Sequence, residues 1–221
     1  MDNKAVIFDL DGTLLDTLAD LTDAVNYILV QYGYAEKSMQ EIRSYLGDGA
    51  AYLIRRALPQ SVTEDLFRTI LEEYKKYYQA HSKIKTKPYE GIIQSLEALG
   101  ERGWHIGVVS NKPDAAVREL CRDYFGSLVG FALGDKADIN RKPAADPVLY
   151  AMKQMQCDRA VFVGDSEVDV LTARNAGMPC ISVTWGFRDK DFLAERGATC
   201  FADSAEQLVP LCEALIERDL R

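Results

Sequence analysis

The chain has 221 residues, 48% of them hydrophobic and 27% charged, and a formal net charge of -8. That is the make-up of a globular protein long enough to bury a sizeable core, as one large domain or as a domain with a smaller companion. It excludes a broad nucleic-acid surface and a polybasic membrane patch, which both need surplus Lys and Arg, so any anionic ligand must be held by local positive charge.

In chain order, the first predicted element is a strand from Ala5 to Phe8 that runs into the stretch "DLDGT". The region from Thr17 to Lys87 then holds no convincing strand. It shows helix starts at Thr17-x-x-Asp20, Ser38-x-x-Glu41 and Ser61-x-x-Glu64, and a Tyr-rich stretch, "EEYKKYYQAH", that fits an amphipathic helix. From about Gly91 onward helix and strand alternate. Strands are predicted at Ile106 to Val109, Ala160 to Val163 and Cys180 to Val183, with Leu128 to Leu133 as a weaker candidate. Helices are predicted to open at Pro113, at Asp146-Pro147 with Asp146 as N-cap, at Ser166-x-x-Asp169 and at Ser204-x-x-Gln207. The strands are continuous apolar runs, as expected when both faces are covered, and the alternation implies βαβ units. The expected fold is α/β: a doubly wound parallel sheet as the core, residues 1–16 and 88–221, with an inserted all-helical cap, residues 17–87.

The five cysteines, Cys121, Cys157, Cys180, Cys200 and Cys212, are odd in number, widely spaced and free of any CxxC pair. Neither a disulfide framework nor a zinc site is indicated, and a reducing setting fits. The first apolar run stops at Asp9, short of a signal-peptide core, and no stretch approaches the ~20 apolar residues that span a bilayer. A cytoplasmic protein without nucleic-acid or membrane partners is expected.

Open parallel sheets bind ligands beyond the carboxyl ends of their strands. Asp9, Asp11 and Thr13 follow the first strand, Ser110 and Asn111 the second, and Gly164, Asp165 and Asp169 the strand ending at Val163, while Lys142 sits in the loop "NRKPAADP". Carboxylates gathered this closely repel unless a cation joins them, and their hard oxygens suit Mg²⁺: Asp9 and Asp165 would ligate it through carboxylate oxygens, Asp11 through its main-chain carbonyl. Such a site draws in a phosphate, with Lys142 offsetting repulsion and Ser110 and Asn111 hydrogen-bonding the phosphoryl oxygens. Asp9 is then the nucleophile that forms an aspartyl-phosphate, and Asp11, beyond the turn at Gly12, the group that protonates the leaving oxygen and later activates water.

The motifs "DLDGT", "SNK", the Lys142 loop and "GDSEVD" resemble, in order and spacing, those of the haloacid dehalogenase superfamily in its magnesium-dependent phosphatase branch. The resemblance covers nearly the whole chain. It implies a Rossmann-like core, a helical cap that closes over the active site, the roles just assigned, and a supporting place for Asp169 beside the metal shell. Two branches are disfavoured by departures: the dehalogenases lack the second aspartate, and the P-type pumps carry Lys where this chain has Leu10. The segment "SYLGDGAAYLIRRALP" looks like the cap of phosphoglycolate phosphatases. That likeness implies a small phosphate monoester, 2-phosphoglycolate first, with Gly47, Asp48, Gly49 and Arg55 facing the substrate.

Each motif alone also has a structural explanation. Asp16 and Thr17 can cap the first cap helix, Asn111 the helix at Pro113, and Asp169 completes a capping box with Ser166. Tyr74, Tyr77 and Tyr78 read as packing, and His81 and His105 have no metal-ligand spacing. The conjunction of four motifs at strand ends is what capping does not produce. Competing functions are a sugar-phosphate mutase, a pyrophosphatase or nucleotidase of the same fold, and a phospho-aspartate switch without turnover. Oligomeric state is left open between monomer and dimer.

Overall fold

The computed structural model describes residues 3–218. The elements in chain order are β1 (Lys4–Phe8), β2 (Leu15–Asp16), α1 (Leu18–Gln31), α2 (Met39–Tyr45), α3 (Ala50–Ala57), α4 (Glu64–His81), β3 (Lys87–Pro88), α5 (Ile92–Glu101) and β4 (His105–Pro113). There follow α6 (Asp114–Phe125), β5 (Phe131–Asp135), α7 (Asp146–Gln154), β6 (Arg159–Gly164), α8 (Glu167–Ala176), β7 (Cys180–Val183), α9 (Lys190–Glu195), β8 (Phe201–Ala202) and α10 (Leu208–Arg218). The chain divides into two compact units, one running up to Leu15 and again from Pro88, the other Asp16–Lys87.

The first unit is a six-stranded sheet in the order β5-β4-β1-β6-β7-β8, parallel throughout. Successive residues of β1 feed opposite faces. Val6 and Phe8 enter a core with Leu96, Trp104 and Val117, while Ala5 and Ile7 enter another with Val148, Ala151 and Phe162. These four side chains of β1 are fully buried, which is why the run reads as continuous rather than alternating. This is a doubly wound α/β sheet with helices on both faces, of the Rossmann-like type, and the helical unit is inserted after its first strand.

The second unit is helical. Buried Leu21, Val25 and Ile28 of α1 meet a core that includes Ile42, Leu53, Ile54, Ile70 and Tyr74. Tyr77 stacks between Tyr27 and His81, with ring centroids 3.7 and 4.0 Å away. The box at Ser38 forms as predicted, its Glu41 N–H donating to Ser38 Oγ and its Ser38 N–H to Glu41 Oε2.

Other helix starts differ from the sequence pattern. Thr63, not Ser61, caps α4, and its hydroxyl accepts from Leu66 N–H. α7 begins at Asp146 itself, with Ala145 as N-cap. α6 begins at Asp114, because β4 continues to Pro113, so Asn111 lies on a strand and caps nothing. Thr17 stands at the N-cap of α1, but no capping box forms because Asp20 is used elsewhere. Its buried carboxylate accepts the N–H groups of Ile84, Lys85 and Thr86 at 3.1, 2.9 and 2.9 Å and the Thr86 hydroxyl at 2.8 Å. The fifth strand sits at Phe131–Asp135, later than Leu128–Leu133, since Gly126–Leu128 is a 3-10 turn.

Candidate active site

The register of the sheet brings the acidic loops together. Phe8 is level with both Val108 and Val163, and Asp9 N–H still donates to Val163 O at 2.9 Å, so Asp9 leaves the sheet at the carboxyl end of β6, while β4 on its other side continues to Pro113. The chain then folds tightly. Leu14 and Leu15 N–H both reach Leu10 O at 3.0 Å, and Gly12, at φ 83, makes the reversal that an L side chain resists. Asp11 and Thr13 thereby stay at the same edge.

On β4 a bulge does the placing. Val109 pairs with Leu133 and Pro113 with Asp135, so four steps along β4 match two along β5. The surplus residues break the strict alternation of a strand, and Ser110, Asn111 and Lys112 are all buried in succession. Gly134 permits it, since a Cβ there would run into the backbone of Lys112 and Asp114.

Lys142 is the hub. Its Nζ, almost wholly buried, lies 2.9 Å from Asp9 Oδ1 and 2.7 Å from Asp169 Oδ1, and its carbonyl accepts from Asn111 Nδ2 at 3.0 Å. Asp169 Oδ2 accepts from Asp165 N–H, Ser166 N–H and Ser166 Oγ at 3.2, 3.0 and 2.6 Å, so this carboxylate both caps α8 and anchors Lys142. Asp165 accepts from Thr13 Oγ1 at 2.9 Å and from Phe187 N–H at 2.7 Å. Asp9, Asp165 and Asp169 each offer one oxygen, all within 4.8 Å of one another. Asp11 points elsewhere, its two oxygens accepting from Lys112 Nζ at 2.8 and 3.0 Å. Its carboxylate is outside the cluster, and only its main-chain carbonyl is left for a cation there.

The electrostatics follow from this crowding. Burial raises Asp9 to about 6, with Asp169 and Asp11 adding to the rise and Lys142 opposing it. Asp165 is held well above the usual carboxylate range by burial, then by Asp169 and Asp9. For Lys142 burial disfavours the charge, but Asp169 and Asp9 more than offset it and the ammonium is retained. Three carboxyl groups, those of Asp9, Asp165 and Asp169, thus crowd around the single ammonium of Lys142, and a divalent cation would relieve the repulsion among them.

The sequence reading omitted two contributors. Lys112 belongs to the quoted "SNK", but its partner lies 101 residues away, and no local pattern marks the pair. The loop after β7 was findable by the strand-end rule itself: "TWGF" supplies Phe187 N–H to Asp165 and Trp185 Nε1, which donates to Thr13 O at 3.1 Å. In the helical unit, Gly47 and Gly49 have φ of 115 and 83 ahead of α3, and Asp48 pairs with Arg56 at 3.0 Å. Arg55 lies 2.6 Å from Glu64 and 3.6 Å above the Phe67 ring, so its charge is met inside that unit.

The fold is a doubly wound sheet whose carboxyl edge gathers aspartates around a lysine and whose first crossover carries a helical insert. The chain belongs to the haloacid dehalogenase-like hydrolases, whose family model matches residues 6–183. It is 32% identical over 226 residues to phosphoglycolate phosphatase 1 of Pseudomonas aeruginosa, covering 97% of this chain and 81% of that protein. The identity to the phosphoglycolate phosphatase of Agrobacterium fabrum is also 32%, across 96% of this chain and 94% of the relative. Among solved structures, one from Lactobacillus delbrueckii subsp. bulgaricus, with a provisional phosphoglycolate phosphatase designation, superimposes with a TM-score of 0.89 at 40% identity, covering 94% of this chain and 97% of that one.

Proposed function

We infer that the protein is a magnesium-dependent phosphatase that hydrolyses small phosphate monoesters through an aspartyl-phosphate on Asp9, with 2-phosphoglycolate as its substrate. The observation that carries this reading is the buried Lys142 bridging Asp9 and Asp169 beside Asp165 at the carboxyl edge of the central strand. The substrate rests on the names of the relatives and on the Gly47–Gly49 turn.

The donor set fits a hard divalent cation, since it is all oxygen, closely spaced and short of positive charge. Asp9 and Asp165 would hold it with the Asp11 carbonyl, while Asp169, already committed to Lys142 and the start of α8, supports from behind. Mg²⁺ when bound supplies charge neutralisation and polarises the phosphoryl group.

Lys142 and Ser110 Oγ hold phosphoryl oxygens. Asn111 keeps one amide hydrogen on the Lys142 carbonyl and so fixes the loop that carries the lysine. An Asp9 carboxylate oxygen attacks phosphorus and the bond to the leaving oxygen breaks, as the Asp11 carboxyl gives its proton to that oxygen. The alcohol departs. Asp11, now a carboxylate, takes a proton from a water that attacks the phosphoaspartate; the Asp9–phosphorus bond breaks and inorganic phosphate leaves.

Phosphate release from a panel of monoesters, with Mg²⁺ and with EDTA, beside an Asp9→Asn variant, tests the reading. Activity is expected to vanish in EDTA and to fall by at least a thousand-fold in the variant, on the order of losing a covalent route. Parent-level turnover by Asp9→Asn overturns the nucleophile assignment. Faster turnover of another monoester than of 2-phosphoglycolate overturns the substrate alone.

A further inference from the structure

We propose that Lys112 is a positioning residue for the reaction: placed by the β4 bulge against both oxygens of Asp11, it fixes the orientation of the proton-transferring carboxylate. The proposal rests on the phosphatase reading above and deepens it.

Three observations meet here. Lys112 is 5% exposed at its side chain, an unusual place for a lysine, which is retained inside a protein only where an anion meets it. The anion is Asp11, held at 2.8 and 3.0 Å through both oxygens, a two-point contact that sets the plane of the carboxylate as well as its distance. And the strand is irregular here: four residue steps of β4 from Val109 to Pro113 match two of β5, and Ser110, Asn111 and Lys112 are buried in succession beside the acidic edge. Lys142, by contrast, is committed to Asp9 and Asp169. The two lysines divide the work, one on the nucleophile and one on the proton shuttle.

Proton transfer by a positioned carboxyl contributes roughly 10²–10⁴ in rate, and part of that is orientation. Lys112 touches neither phosphorus nor the leaving group in this scheme. Its removal therefore hurts most where the leaving oxygen needs a proton, and it leaves phosphate affinity alone.

The test compares p-nitrophenyl phosphate, whose leaving group departs without a proton, with phenyl phosphate and 2-phosphoglycolate, whose leaving groups are far more basic. The variants are Lys112→Met, Lys112→Arg, Asp11→Asn and the double variant Asp11→Asn/Lys112→Met, each in the full chain with Mg²⁺. For Lys112→Met, kcat/KM is expected to drop about 10- to 100-fold on the basic leaving groups. On p-nitrophenyl phosphate it should stay within about three-fold, with a burst of nitrophenolate as phosphoaspartate hydrolysis slows. Inhibition by inorganic phosphate should be unchanged, and Lys112→Arg should recover most of the loss. In the Asp11→Asn background the lysine deletion should cost nothing further.

An equal loss on all three esters, a weakened phosphate inhibition, or a full additional loss in the double variant overturns the proposal, assigning Lys112 to structure or to phosphate binding instead. Should Lys112→Met not fold, Lys112→Arg against Asp11→Asn decides: an arginine variant showing the leaving-group dependence of Asp11→Asn at reduced severity supports it, and uniform loss overturns it. Failure of the parent reading looks different, for then the unmodified protein releases no Mg²⁺-dependent phosphate from any of the three.

Discussion

The proposed nucleophile, Asp9, sits where a carboxylate is poorly solvated. Burial lifts it to about 6 from 3.8, with Asp169 and Asp11 on the same side of the balance as burial and Lys142 on the other. The folded protein thus binds this proton more tightly than the unfolded chain. Its contribution to stability is present at low pH, is lost as pH rises from about 4 to about 6, and is flat above that. Melts in EDTA should show this slope in the parent and a shallower one in Asp9→Asn, which leaves the raised Asp165 in place. In the proposed mechanism activity runs the other way, because only the ionised form attacks. At limiting Mg²⁺, kcat/KM should fall below about pH 6, and saturating Mg²⁺, which competes with the proton, should move that limb to lower pH. Gly12 belongs to the same residue scale: a Cβ there would strike the Asp165 carboxylate and the Phe187 ring, on top of its positive φ. Gly12→Ala should abolish turnover and lower stability by about 1–3 kcal/mol, measured by urea unfolding.

At the scale of elements, the legibility of the chain tracks how local the physics is. Continuous apolar strands announced themselves, since Val6 to Phe8, Val161 to Val163 and Ile181 to Val183 are buried on both faces. The two-residue strands β2, β3 and β8 carry no periodicity to read. The bulge in β4 was invisible because it is a relation to β5, enabled by Gly134. For the site, Asp9, Asp11, Thr13 and Asp165 follow β1 and β6 as the strand-end rule expects, whereas Ser110 and Asn111 lie within β4, and the Lys112 to Asp11 pair and the Phe187 N–H come from distant segments. Asp20 shows the same limit. Its spacing from Thr17 suits a cap, yet the return segment offers N–H groups at residues 84–86, and a buried carboxylate gains more from several charge-assisted bonds than from one. Asp20→Ala should destabilise the chain by roughly 2–4 kcal/mol, because those donors are left without their acceptor. Hydrogen exchange should rise first at Lys85 and Thr86.

For the whole molecule, the acidic edge is a site whose resting charge is out of balance. Mg²⁺ should raise the melting temperature, by about 2.7 kcal/mol of added stability at a free concentration 100-fold above its Kd. Asp165→Asn should cancel that gain. In EDTA the same variant should melt no lower than the parent, since it removes one of the mutually repelling buried carboxylates while its amide can still accept from Phe187 N–H and donate to Thr13 Oγ1. Calorimetry of both proteins, with and without the ion, reads both effects. No helix among the described residues is long and apolar enough to cross a membrane.

The strand order has a consequence for how the chain matures. β1 occupies the middle of the sheet, yet its partners are β4, about a hundred positions downstream, and β6, further still. On the ribosome Val6, Ile7 and Phe8 find β4 only when residue 113 has left the exit tunnel and stay open on the other side until residue 164 follows, while the intervening helices can already consolidate. A nascent chain stalled before β6 should accordingly be a chaperone client, protease-resistant across residues 16–87 and degraded everywhere else.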